Sequence, residues 1–565
     1  MVVDYPICAS CGSHGTQVCG GCRLVLYCSG ECQKAHWQEH KKYCKSPLIK
    51  SDWQPEWIRE NRVPTFVVPN DEAGQEPFGG KKFFWGNVPA FDMVDLANHE
   101  SKDFAGNLRL LFAGKMSATI SIYDAFSNNQ AASGDLRNVF MTLASLPSSY
   151  SGAATATVND LDFETVARNI IMLLIMLSAE DRGSSIQTTI HLWYSAFLRQ
   201  KYMDFLGSKI RPLVQDVVSN ITSKASDVLC GKTWAWNKST LRVELTKARW
   251  IQLLAFFDVP PGLSTAKAHQ ARKAVNLASS RIDYRERRLL CHRPAHRVVD
   301  MRYGEDGVFA PFGYSREEFT VPNPTFFQGT EWPMKDSADP VAGWSLPDLL
   351  QVKAYGATND LHGQLYFHLQ TILNAVQSRV SQHECHFQML NCNATELPSR
   401  LKGSTFARIE TANIADSGYL GVQRTHATLV TLFINAVPQL NQFFPDATSE
   451  QTDLKKATSY LCANGPPKFS DLKSPYSPML IKVSCGKDLV HDMDKSFERY
   501  MQLHNFKNVE QSCGVRMKPQ NTIIEKWPMR LKLEFGQPGA QEEFDLLLGS
   551  SHTGSERYVE WTRQS

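Results

Sequence analysis

Between Phe83 and Leu177 the apolar positions switch between short continuous runs and helical spacing. Leu108-Arg-Leu-Leu-Phe112 is one such run and predicts a buried strand. Val139 to Leu146 has helical spacing, and Ala154 to Val158 predicts a second strand ending at Asn159-Asp160. Phe163 to Leu177 predicts a helix. Asp162 is its expected N-cap, because a short acceptor side chain there can satisfy a free backbone N–H of the first turn. Strand and helix in alternation predict a parallel sheet with crossover helices.

The strand signal then pauses. Residues 185–380 read as mainly helical, with a long connection containing prolines and aromatics from Pro311 to Trp344. Strand patterns return at His386–Leu390, Phe406–Thr411 and Ala427–Ile434. The tail predicts an antiparallel hairpin from Met529–Phe535 and Phe544–Leu548, with Gly536 and Pro538-Gly539 in the turn. Residues 47–82 read as a linker, with Pro47, Pro55, Pro64, Pro69 and Pro77, and with Trp53 and Trp57 placed to anchor it on a neighbour. The expected division is a cysteine-rich module at 1–46, this linker, a first α/β part at 83–184, a mainly helical insertion at 185–380, and a second α/β part with the hairpin at 381–565. No internal repeat is visible. Gly114 to Ala131 breaks the passage after the first strand. A Gly-Lys start can encode an intron donor, so this stretch reads as a retained intron.

Composition changes this picture little. A chain of 565 residues suggests roughly three or four domains. With 42% apolar and 21% charged residues it can bury a sizeable core. A net charge of +3 is too small to imply nucleic acid. The longest apolar run, Ile170 to Leu177, falls far short of the ~20 residues of a membrane span.

The N-terminal module carries the chemistry. Cys8, Cys11, Cys19, Cys22, Cys28, Cys32, His40 and Cys44 follow the pattern C-x2-C-x7-C-x2-C-x5-C-x3-C-x7-H-x3-C. Zinc takes four such ligands in a tetrahedron, and a C-x2-C turn supplies two of them. Eight ligands make two closed, structural sites with no open position for water. Disulfides are the competing reading, but they belong to secreted chains, and no charged-then-apolar leader opens this sequence. The other cysteines, Cys230, Cys291, Cys385, Cys392, Cys462, Cys485 and Cys513, are scattered and are expected to be reduced and mostly buried. That points to an intracellular setting, cytoplasmic or nuclear. So small a module has little core, so zinc should supply much of its folding free energy. Spacing alone leaves two pairings open, neighbouring pairs on one metal or alternating pairs.

Cys28-Ser-Gly-Glu-Cys32-Gln33 and His36-Trp37-Gln-Glu-His40-Lys-Lys-Tyr-Cys44 resemble a MYND-type zinc finger along its whole length. The resemblance implies the alternating pairing: Cys8, Cys11, Cys28 and Cys32 on one zinc, Cys19, Cys22, His40 and Cys44 on the other. It also implies His40 rather than His36 as the ligand. MYND fingers are protein-binding modules, some of which take proline-rich peptides. By the same resemblance Gln33 and Trp37 are the residues expected to line a peptide groove.

A second resemblance lies in the body. Phe84-Trp-Gly-Asn-Val-Pro-Ala-Phe-Asp92, Gly134-Asp135-Leu-Arg137-Asn138 and Asn159-Asp160-Leu-Asp162 with Ala167-Arg168-Asn169 are similar to a domain of unknown function. That domain resembles the N-terminal region of an axonemal dynein assembly factor. Together with the finger, and with Ser315–Phe327 and Ile409–Leu420, the chain looks like an uncharacterised fungal group. This brings an architecture and no established activity.

Read physically, residues 108–177 outline half of a Rossmann-like nucleotide site: strand, glycine turn, helix, and a strand ending in an acid. Gly134, Asp135 and Asp160 could thereby hold S-adenosylmethionine, with Asp160 on the ribose. The plainer reading is that these residues make a turn and cap helices. No Asn-His-Ser-Cys-type motif of SET enzymes is found, and no phosphate-binding loop, nucleophile elbow or H-E-x-x-H. His383, Cys385 and His386 would alternate across a strand and are not expected to form a third metal site. The arginines from Arg281 to Arg302 are interleaved with Asp283, Glu286 and Asp300, so internal ion pairs or a solvated face are expected. The sequence thus favours a zinc-dependent adaptor or assembly factor without a complete catalytic motif. A methyltransferase-like enzyme whose finger recruits substrate is the alternative.

Overall fold

Continuous apolar runs make strands that are buried on both faces, and such strands pair in parallel beneath helices. That is how the body is built. The computed structural model describes residues 6–67, 78–100, 103–114, 134–178, 180–352, 355–415, 421–428, 433–436, 447–463, 474–550, 552 and 557–564. The proposed intron, beyond Gly114, lies outside the described residues.

In the finger, β1 (Gln17–Val18) pairs antiparallel with β2 (Leu26–Tyr27). In the body, β3 (Leu108–Ala113), β4 (Ala154–Asn159), β5 (Phe197–Arg199), β6 (Leu229–Trp236), β7 (Ser239–Thr246), β8 (Phe319–Pro322), β9 (Cys385–Leu390), β10 (Arg408–Glu410), β11 (Phe433–Ala436), β12 (Val515–Met517) and β13 (Arg557–Arg563) follow. Nine of them form one mixed sheet in the order β12-β13-β11-β10-β3-β4-β9-β7-β6. The inner pairs β11–β10, β10–β3, β3–β4, β4–β9 and β9–β7 are parallel. β6 closes one side antiparallel, and β13 and β12 close the other. β5 and β8 make a separate antiparallel pair.

The predicted helix over 163–177 is present as Phe163–Ser178, and Asp162 accepts from Thr165 N at 3.1 Å as its cap. It is buried from Phe163 to Met176 apart from Glu164, which explains its almost unbroken apolar sequence. The helices Arg137–Ser145, Arg182–Tyr194 and Leu361–Gln382 pack together beside it and share the main core.

Two expectations need correction, and a third gains detail. The stretch 185–380 also holds strands: β6 and β7 form a hairpin inside it and extend the sheet. Asn237 turns that hairpin at φ 49°, a conformation asparagine tolerates. Its alternating burial was legible in the sequence, since Cys230 and Trp234 point inward from β6 and Leu241, Val243 and Leu245 from β7. The C-terminal hairpin is absent at Met529–Phe535 and Phe544–Leu548: the latter residues belong to the helix Ala540–Leu548. Ala540, Phe544 and Leu547 recur at helical spacing and bury against Tyr460, Leu489 and Met529. The antiparallel pair of the tail is instead β12 with β13. Finally, the Rossmann-like description holds only in part. Counted along the chain, the six parallel strands lie in the order 3-4-2-1-5-6, against 3-2-1-4-5-6 in the doubly wound fold.

The entry segment is anchored as its tryptophans suggested. Trp57 is fully buried, and its indole N–H donates to the Tyr476 carbonyl at 3.0 Å. Trp53 lies under the Arg297 guanidinium, 5.1 Å away. Arg62 makes a bidentate pair with Asp283 at 2.6 and 2.8 Å. The arginine run is likewise used internally: Arg281 pairs with Asp336 and Arg288 with Asp300, while Arg297 donates to the Leu289 carbonyl.

Candidate metal centre

The finger helix, Gly30–Cys44, starts where Ser29 accepts from Cys32 N at 3.3 Å. Glu31 in its first turn and Lys41 and Lys42 in its last suit the helix dipole. Its only fully buried side chain is His40, so it brings little apolar core of its own. Its positions 32, 40 and 44 are metal-ligand candidates, and they tie it to the preceding loops.

Two groups of four ligand atoms come together, each with all its atoms within 4.8 Å of one another. One is Cys8, Cys11, Cys28 and Cys32; the other is Cys19, Cys22, His40 and Cys44. The sulfurs of Cys11 and Cys28 are 3.6 Å apart and those of Cys28 and Cys32 3.5 Å. In the second group Cys19 and Cys44 are 3.9 Å apart, and Cys22 Sγ is 3.3 Å from His40 Nε2. A tetrahedron built from ~2.3 Å zinc–sulfur bonds has edges of about 3.8 Å. The spacings therefore fit zinc, and none of these cysteines is in a disulfide. The alternating pairing is the one the fold makes. His36 stands outside both groups: its Nδ1 meets the Tyr27 hydroxyl at 3.0 Å and its ring stacks on His40.

The electrostatics of the residues also ask for a cation. Burial holds the His40 imidazole down at about 4, so it is neutral and able to ligate. Hydrogen bonds from Ser13 draw the Cys11 thiol down to about 6. Burial pushes Cys22 far up, and its neighbours Cys32 and Cys11 push Cys28 up to about 12. Several thiolates packed this closely repel one another, and a divalent ion reverses that penalty.

The finger does not stand apart. Leu24, Val25 and Tyr27 pack with Ala295, Val298, Val299 and Phe312 of the body, and Leu26 joins the main core. Tyr43 meets Phe312 edge-on at 5.0 Å, and the Arg302 guanidinium covers both rings. Gly313 lies so close that a Cβ there would sit 3.2 Å from the Ala9 methyl. Sequence reasoning missed this seat, because its residues are scattered over distant segments. Gln33 and Trp37 are half-buried on the finger helix. The ring neighbours of Trp37 are His40 and Lys45, both close to it in the chain.

The other predicted site residues behave differently. Gly134 and Asp135 follow β3, and Asp160 follows β4, next to the point where the strand order reverses. Asp135 is buried, accepts from Gly86 N at 3.2 Å and lies 3.4 Å from the Arg137 guanidinium. The Gly134 carbonyl accepts from Asn169 at 2.6 Å, and Asp160 accepts from Asp162 N at 2.8 Å. These groups are engaged in holding turns and helix starts, and S-adenosylmethionine gains no support from them. Two cavities lie elsewhere, one of about 590 Å³ between 46–59 and 282–301 and one of about 260 Å³ between 284–292 and 485–552. His383, Cys385 and His386 do not converge: among the described residues only the two finger groups could hold a metal.

Two interleaved Cys/His tetrahedra on a short hairpin and helix define a two-zinc module. The MYND finger family matches residues 8–44, and a domain of unknown function, DUF4470, matches residues 84–198. The chain thus carries a MYND finger followed by a DUF4470 domain. Tudor domain-containing protein 1 of Oryzias latipes is 39% identical over 54 residues, which is 10% of this chain and 4% of that protein. The chain therefore spans only a small fraction of that relative. No solved structure matches. Among the described residues no helix is long and apolar enough to cross a membrane.

Proposed function

We propose that this is a zinc-dependent protein-interaction protein, an adaptor or assembly factor whose finger binds a short, proline-rich peptide of a partner. In this reading Cys8, Cys11, Cys28 and Cys32 hold one structural zinc and Cys19, Cys22, His40 and Cys44 the other. Gln33 and Trp37 line the peptide groove. The module at 1–46 binds; the linker at 47–82 seats it; the parts at 83–184, 185–380 and 381–565 form the body that carries it. The observation that supports this most is the seat. The finger turns Leu24, Val25 and Tyr43 toward the body, while among the described residues Trp37 has His40 and Lys45 as its ring neighbours. A partly exposed indole suits an extended proline-rich peptide, which is already ordered before binding.

The test is capture of proline-rich peptides by the full chain and by Trp37→Ala. Loss of capture with both zincs retained supports the reading; equal capture by both proteins ends it. The alternative, a methyltransferase-like body, rests on the position of Asp160 beside the strand-order reversal. Titration with S-adenosylmethionine separates the two: micromolar binding that Asp160→Ala abolishes would overturn the pure-adaptor reading.

A further inference from the structure

Outside the finger, two cysteines from distant segments meet. Cys291 ends the helix Ile282–Cys291, and Cys485 lies midway along the helix Pro478–Val490, which packs against it. Both line the cavity of about 260 Å³, together with Arg287, His292 and Leu489. We propose that Cys291 and Cys485 form a redox-active dithiol, in which a hydroperoxide oxidises Cys485 first and Cys291 then closes a disulfide.

The assignment of roles follows from the surroundings. The Cys291 thiol and the Arg287 guanidinium both stabilise a thiolate at Cys485, drawing it down to about 7, while Cys291 is pushed well up. Cys385 and Cys392 show the contrasting case: burial is the main cause that pushes each up to about 11. A thiolate, not a thiol, is the nucleophile, so Cys485 is the reactive member. Cys485 is half-buried on an open cavity, which admits a molecule as small as hydrogen peroxide.

The chemistry balances with one hydroperoxide. The Cys485 thiolate attacks the terminal peroxide oxygen, the O–O bond breaks, and the alkoxide leaves and takes a proton as the alcohol. Cys485 is then a sulfenic acid. The Cys291 sulfur gives up its proton and attacks the Cys485 sulfur, the S–O bond breaks, and hydroxide leaves as water. Two thiols and one hydroperoxide become one disulfide, one alcohol and one water. The bond would link the two helices whose Leu290 and Ile481 clamp Trp57, and so would fix the seat of the entry segment.

The experiment uses the full, zinc-loaded chain, one equivalent of hydrogen peroxide, and peptide mapping without reductant. A Cys291–Cys485 linked peptide that a thiol reductant reverses is expected. Cys291→Ser should leave a sulfenic acid at Cys485 that a 1,3-diketone captures, and Cys485→Ser should give neither link nor adduct. Oxidation of the finger thiols while the pair stays reduced, or first labelling at Cys291, overturns the proposal. The unsubstituted chain gives a second test. Alkylation of Cys485 should have a midpoint near pH 7, and a midpoint at the ordinary thiol value of about 8.5 overturns the proposal as well.

Discussion

The side-chain amide of Asn359 donates to the backbone carbonyl of Cys22 at 2.9 Å, across 337 residues of chain. The Asn359 N–H also donates to the Arg23 carbonyl at 3.2 Å. The tight turn that offers Cys19 and Cys22 to one candidate zinc is therefore held from behind by the body. Folding of the finger and its docking are coupled at this turn.

Asn359→Ala should loosen the docked finger without emptying it. It leaves the Cys22 carbonyl without its side-chain donor, which costs about 1–3 kcal/mol for a buried acceptor. Both zincs should remain bound, while limited proteolysis within residues 46–62 becomes faster. An unchanged cleavage rate would show that the contact does not hold the finger down.

Metal analysis of the reduced full chain should give about two zincs. Each structural zinc of this type contributes about 10–16 kcal/mol of apparent folding free energy at neutral pH. Chelation should therefore unfold the finger and strip cover from Phe312 and Leu26, lowering the melting temperature of the whole chain. Cys22→Ser should bind one zinc, with Cys8, Cys11, Cys28 and Cys32 still occupied. Loss of both would show that the two groups fold as one unit.

Trp37→Ala should leave zinc content and melting temperature close to those of the unsubstituted chain, since the side chain is half-buried on the helix surface. Peptide capture should fall at least about tenfold, the loss of an anchor worth about 1.4 kcal/mol or more. Isothermal titration measures both affinity and stoichiometry.

Arg62→Ala should cost about 3–5 kcal/mol at neutral pH, because it leaves the buried Asp283 carboxylate without its partner. Asp283 also accepts from Thr65 N at 2.7 Å. Burial raises the Asp283 pKa, but Arg62 and Thr65 outweigh it and hold the carboxyl below its ordinary value. A depressed carboxylate contributes stability above its unfolded pKa of about 3.9 and loses it as pH falls through the folded value. The gap between the two proteins should thus be full at pH 7 and close in acid. Urea unfolding at both pH values measures it. A gap that persists in acid would mean that Arg62 acts by packing alone.

Much of the central sheet could be read from local pattern. β3, β4 and β9 are short strand-prone stretches buried at most positions, and Asp162 caps the helix that follows β4 as its position suggests. The tail was misread because Phe544, Leu546 and Leu548 alternate as in a strand, while Ala540, Phe544 and Leu547 fit one face of a helix. Only packing against Tyr460 and Leu489 decides for the helix. The hairpin of β6 and β7 alternates in the sequence, yet it joins the sheet only because β9 lies free beside β7.

For the finger, the sequence by itself determined the eight ligands and their chemistry, because metal coordination is local and demands particular atoms at short intervals. Which face of the finger is covered, and where the glycine and aspartates after β3 and β4 spend their hydrogen bonds, were decided only in three dimensions. Those outcomes depend on contacts such as Asn359 with Cys22, Phe312 with Tyr43 and Gly86 with Asp135, between residues that no local spacing relates.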